Sequence, residues 1–114
     1  MTPCIFCRIS AGELPAKIIF EDNQCLVFED IHPKAPLHLL VIPKRHIESL
    51  NDMRLEDEGL LGHLIFIARE LAHQNGADKT GFRAVLNTGS HAGQSVFHIH
   101  LHLLAGRPMA WPPG

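Results

Sequence analysis

Residues 93–104, GQSVFHIHLHLL, set His98, His100 and His102 in strict alternation with Phe97, Ile99, Leu101 and Leu103. Period two is the repeat of a β-strand, whose successive side chains point to opposite faces. The pattern predicts a strand over 96–104 that seals a core with its apolar set and lines up three imidazoles on the other side. Lysine or threonine would serve a merely wetted face equally well, so three imidazoles in step argue for chemistry. With an ordinary pKa of about 6.5, an imidazole is a nucleophile when neutral and a proton donor when charged, and neighbours can divide those tasks. Alternate strand positions lie about 6.6 Å apart. Zinc–nitrogen bonds are only about 2.1 Å long, which disfavours one metal held by all three rings.

Working outward, the loop NTGSHAGQ before the ladder supplies a second ingredient. Gly93 lets backbone come close to a ligand, amides after it can face phosphate oxygens, and Ser95 adds a hydroxyl. Upstream of the loop, 83–86 reads as a strand. Leu60, Leu61, Leu64, Ile65, Ala68, Leu71 and Ala72 recur at helical spacing, predicting a helix over about 54–74 that Asn75-Gly76 ends and Gly62 does not break. Residues 18–20 and 25–29 flank Asp22-Asn23 as a hairpin, and 37–42 reads as a buried strand closed by Pro43. At the start, Thr2 as cap, Pro3 in the first turn and Gly12 as stop predict a short helix over 3–11. Strands on both sides of one long helix, without repeat or linker, make a single α+β domain over 1–114 with a mainly antiparallel sheet.

Composition narrows the function. At 114 residues the chain suits one core, and 46% hydrophobic with 19% charged residues excludes a disordered tail. A net charge of −2 lacks the positive excess that long nucleic acids require, so nucleic acid is not an expected partner, whereas a small anion needs only local donors. The longest apolar runs fall far short of the roughly 20 residues of a membrane span. Three cysteines and no signal-like opening point to a reducing cytoplasm. Cys4 and Cys7 form a C-x-x-C, a spacing that suits a metal or a simple reduced pair, while Cys25 inside an apolar strand reads as core.

The ladder QSVFHIHLHLL resembles the signature of histidine-triad proteins, three histidines separated by single hydrophobic residues. CIFCRISAGELPAKIIFED, DIHPKAPLHLLVIPKRHI, LLGHL, the Asn87 loop and the terminal WPPG extend the likeness to the Hint branch, the nucleoside phosphoramidases, over essentially the whole chain. The resemblance implies a five-stranded antiparallel sheet with two helices, pairing with a second copy into a ten-stranded homodimer. It makes His100 the nucleophile that becomes nucleotidylated before water releases AMP or GMP from a primary amine, with no metal needed for catalysis. Carried over position by position, Asp30 holds the ribose, and Phe6, Ile9, Phe28 and Ile31 enclose a purine. Asn87, Gly93, Gln94, Ser95 and His102 contact phosphate or bridging atoms, His38 supports the nucleophile, and Trp111 lies in a tail lining the mouth of the site. Without the family, Phe6, Phe28 and Ile31 read as core and Asp30 as a turn cap. His63 and His73 match no functional position, and His32 and His91 are loop residues.

Some bacterial members that keep the cysteine pair bind structural zinc with it, the PK-x-H histidine and the first triad histidine, and the resemblance maps these onto Cys4, Cys7, His46 and His98. If zinc is held this way, His98 orients the strand instead of moving protons. Three rivals stand beside phosphoramidate hydrolysis: dinucleoside polyphosphate hydrolysis, a nucleotide-binding adaptor without turnover, and a zinc-stabilised interaction module.

Overall fold

Two runs of apolar side chains, 25–28 and 39–42, form the centre of the sheet, because a strand covered on both faces must be apolar at every position. The computed structural model describes residues 3–114. Its elements follow in the order α1 (Ile5–Ser10), β1 (Ile18–Glu21), β2 (Cys25–Glu29), β3 (Leu37–Pro43), α2 (Glu58–Gln74), β4 (Phe82–Leu86) and β5 (Leu101–Ala105). The five strands pair antiparallel in the order β1-β2-β3-β5-β4, the expected α+β architecture.

Each face of the sheet has its own core. Val27, Leu39, Val41, Leu101 and Leu103 meet Leu61, Leu64, Ala68 and Leu71 of α2 on one side. On the other, Leu26, Phe28, Leu40 and Ile42 meet Phe6 and Ile9 of the short α1. Six residues of helix cannot cover that second face, and the part left open is where His102 stands opposite Leu40 and Val85.

Three expectations need correction. The ladder of β5 begins at Leu101, not at residue 96. Continuing the register from the pair Val41↔Leu101 would bring Pro43 opposite residue 99, and proline has no N–H to give. Ile99 instead donates to Ile47 O at 2.8 Å, and Phe97, expected in the core, is 55% exposed. The long helix starts at Glu58, because residues 50–52 and 55–57 form 3-10 turns in which Asp57 accepts from Arg54 N and pairs with Arg45. The first helix spans Ile5–Ser10 with Cys4 as its cap, Sγ accepting from Cys7 N at 3.4 Å, and Thr2 lies outside the described residues.

Asp22 ties the β1–β2 turn to α2. Its Oδ1 accepts from the amides of Gln24 and Cys25, and its Oδ2 lies 2.6 Å from His63 Nε2. Desolvation raises the Asp22 pKa, but the bonds from His63, Gln24 and Cys25 outweigh it and hold the group near 2. Asp22→Ala should cost about 2 kcal/mol in urea denaturation at pH 7, the scale of charge-assisted hydrogen bonds. The contribution of the carboxylate is present above its unfolded pKa of about 4 and is lost as pH falls towards 2.

Candidate active site

The three imidazoles do not share one environment, and the backbone decides what each presents. His100 Nδ1 lies 2.8 Å from His98 O. A carbonyl only accepts, so Nδ1 carries the hydrogen and Nε2 keeps its lone pair. The same carbonyl also favours the positive charge that grows on the ring as Nε2 attacks an electrophile. Phe6 packs edge-on against this ring at 5.1 Å and against Phe28 at 5.5 Å, so α1 shields the His100 ring from one side.

His102 is set by a chain of donors. Lys34 N donates to His38 Nδ1 at 3.0 Å, which places the His38 hydrogen on Nε2. Nε2 donates in turn to His102 Nδ1 at 2.9 Å, leaving the His102 hydrogen on Nε2. Asp30 Oδ2 stands 3.4 Å from His38 Nε2, while Oδ1 accepts from His32 N at 2.8 Å. Burial, with the nearby His100 and His38 rings, holds His102 down to about 4, and burial lowers His38 as well. Both rings are neutral near pH 7, and His102 offers an N–H without adding a charge.

His98 turns the other way. Its Nε2 donates to Pro43 O at 2.8 Å, so the Nδ1 lone pair faces Cys4 Sγ at 3.4 Å, Cys7 Sγ at 3.5 Å and His46 Nδ1 at 3.1 Å. Cys7 Sγ is 3.3 Å from His46 Nδ1. In a tetrahedral zinc site the ligand bond lengths put sulfur and nitrogen about 3.5 Å apart and two nitrogens about 3.3 Å apart. The four donors of Cys4, Cys7, His46 and His98 therefore form a set that fits a tetrahedral metal. Without a cation, desolvation and the neighbouring Cys4 push the Cys7 thiol up to about 11, and a bound metal would reverse that preference. Asp30, His38 and His102 also cluster, but the lone pair of His102 Nδ1 is already engaged by His38.

Beside His100 and His102 lies a cavity of about 380 Å³, a size typical of small-molecule pockets. Phe6, Ile9, Phe28, Asp30, Ile31 and Ser95, all singled out in the sequence, line it. Leu14, Ala16, Leu40 and Val96 line it too and were not foreseen, although Leu40 is the register partner of His102. Asn87 and Trp111 lie elsewhere, on a separate concavity of about 810 Å³ between β4 and the C-terminal tail. Gly93 adopts φ +85°, as its turn requires. Gln94 is buried as a brace: Nε2 donates to Glu48 O and Val96 O, Oε1 accepts from Gly89 N, and its own amide donates to Gly89 O.

Neutral buried imidazoles have a cost in acid. The unfolded chain takes up protons near pH 6.5, while His38, His98 and His102 resist them, His102 until about 4. Stability should therefore be flat from pH 8 to 7 and fall steadily from about 6.5 towards 4, read as Tm by calorimetry across that range. A Tm that rose on acidification through this window would contradict these protonation states.

A five-stranded sheet with His100 and His102 at its half-open face and His98 turned away beside them defines the histidine-triad class, and comparison with known proteins agrees. The family profile described as scavenger mRNA decapping enzyme C-term binding matches residues 3–110. An uncharacterized HIT-like protein of Synechococcus elongatus is 49% identical over 110 residues, 96% of each chain. The crystal structure of a HIT family hydrolase from Legionella pneumophila Philadelphia 1 is 51% identical, with a TM-score of 0.95 over 97% of this chain and 99% of that one. A histidine triad protein from Clostridium difficile is 41% identical, with a TM-score of 0.93 over 96% of each. The chain belongs to the histidine triad (HIT) family and has the fold of its hydrolases. Among the described residues, no helix is long and apolar enough to cross a membrane.

Proposed function

We propose that this chain hydrolyses purine nucleoside phosphoramidates through a nucleotidyl-histidine at His100, releasing AMP or GMP from an amine. The observation that carries the reading is the bond from His100 Nδ1 to His98 O, which leaves Nε2 as a lone pair beside a pocket of nucleoside size. Phe6, Ile9, Phe28 and Ile31 offer an apolar slot for the base, and the Asp30 carboxylate offers acceptors to the ribose hydroxyls.

His100 Nε2 attacks phosphorus, a phosphorus–nitrogen bond to His100 forms, and the bond to the amine breaks. The departing nitrogen takes a proton through the Ser95 hydroxyl, which recovers one from water. A water molecule then displaces His100 and gives up a proton, returning the one consumed, and the ring leaves neutral with its lone pair restored. His102 Nε2–H stabilises charge on the phosphoryl oxygens in both steps. Cys4, Cys7, His46 and His98 would hold a structural zinc, whose chemistry is to fasten α1 to the catalytic segment. Pairing of two copies into a ten-stranded dimer would bring the Trp111 tail to the mouth of a site, and cytoplasmic residence fits reduced Cys4 and Cys7.

A dinucleoside polyphosphate is the competing substrate, and the WPPG tail favours the phosphoramidate. Purified protein should turn over adenosine 5′-phosphoramidate faster than a diadenosine polyphosphate at equal concentration. Faster polyphosphate turnover would overturn the substrate assignment, and failure on both would favour an adaptor.

A further inference from the structure

A second concavity adjoins the nucleotide pocket. It encloses about 360 Å³, and Ile5, Ser95 and Val96 line both spaces, so the two share a wall. His100 opens only onto the first. A phosphoryl group within reach of His100 and Ser95 would therefore stand at the junction. With its nucleoside arm in the first space, its other substituent continues into the second.

The chemistry of that space is specific. Pro3, Ile5 and Phe97 give it apolar walls, and Phe97 is more than half exposed. Glu48, an exposed acidic residue, lines it as well, as do Cys4 and His46. Gln94 holds the Glu48 backbone, because Nε2 donates to Glu48 O at 2.7 Å and to Val96 O at 3.1 Å, so the main chain at Glu48 and the Ser95 segment share one brace. A hydrocarbon arm ending in a positive charge matches apolar walls that end at a carboxylate.

We infer that this concavity is the leaving-group subsite, and that Glu48 selects amines carrying a second positive charge at the end of an aliphatic arm. The inference rests on the phosphoramidase reading. It also explains why an exposed aromatic ring directly precedes the triad, where a solvated loop would otherwise favour a polar residue.

The test compares adenosine 5′-phosphoramidates of three amines of matched length, ending in ammonium, methyl or carboxylate, on the full chain and its Glu48→Gln and Glu48→Lys variants. Each kcat/KM is expressed relative to that of the unsubstituted phosphoramidate on the same protein, which cancels any general loss of folded enzyme. The wild-type chain should favour the ammonium arm over the methyl arm by about fivefold, the scale of an exposed charge pair, and over the carboxylate arm by more. The preference should shrink as salt is raised. Glu48→Gln should bring the ammonium-to-methyl ratio to about one, and Glu48→Lys should favour the carboxylate arm. An ammonium preference that survives Glu48→Gln, or equal rates for all three arms on the wild-type chain, would overturn the subsite alone. No turnover of any phosphoramidate, the unsubstituted one included, would overturn the underlying reading with it.

Discussion

His100→Ala should lower kcat/KM for adenosine 5′-phosphoramidate by at least about 10⁴-fold, while AMP still binds within about tenfold of the wild-type affinity. The asymmetry follows from the geometry. In the proposed mechanism the ring makes the bond to phosphorus, so without it neither displacement has a path, yet the apolar pocket lining of Phe6, Ile9, Phe28 and Ile31 does not depend on it. His102→Ala removes an N–H that acts on developing charge and should cost less, about 10²- to 10³-fold. Single-turnover kinetics with equilibrium AMP binding on both variants separates the two effects. Unchanged turnover in His100→Ala would remove the nucleophile and leave the adaptor reading in its place.

The second large effect concerns the Cys4, Cys7, His46 and His98 set. Purified protein should carry close to one zinc per chain. Cys7→Ser, or a strong chelator, should lower stability by about 3 kcal/mol, a fall in Tm on the order of 15 °C. Turnover should fall with it, because the His98 side chain belongs to the metal set while its carbonyl holds His100 Nδ1. Calorimetry with and without chelator, alongside elemental analysis, checks this. Metal-free protein with an unchanged Tm would show that the four donors simply hydrogen-bond to one another.

Much of this was legible in the chain. The Asp22-Asn23 hairpin, the apolar run closed by Pro43 and the helical spacing from Leu60 to Ala72 each gave an element, because each is a local pattern with one physical solution. The alternating histidines gave the site but not the geometry of its first half. Strand period implied three equivalent rings, whereas the missing N–H of Pro43 ends the ladder at Leu101 and frees His98 to point towards Cys4 and Cys7.

That turn depends on partners about ninety residues apart in sequence, which no local pattern encodes. Only the resemblance to the family brought Cys4, Cys7, His46 and His98 together on paper, and the fold places their donor atoms within 4.8 Å of one another. Gln94 shows the converse. The resemblance gives it a phosphate contact, and in the fold its buried side-chain amide satisfies its hydrogen bonds with backbone groups of Glu48, Val96 and Gly89. Leu40 went unnoticed because a leucine in an apolar strand carries no sign of which face will stay open.

The most direct measurement is mass spectrometry of protein quenched in acid-free denaturant milliseconds after mixing with adenosine 5′-phosphoramidate, followed by peptide mapping. The account predicts one AMP covalently attached per active chain, located on His100 and absent from His100→Ala. An adduct on a different residue, or complete release of AMP in a single turnover with no protein-bound nucleotide at any time, would contradict it.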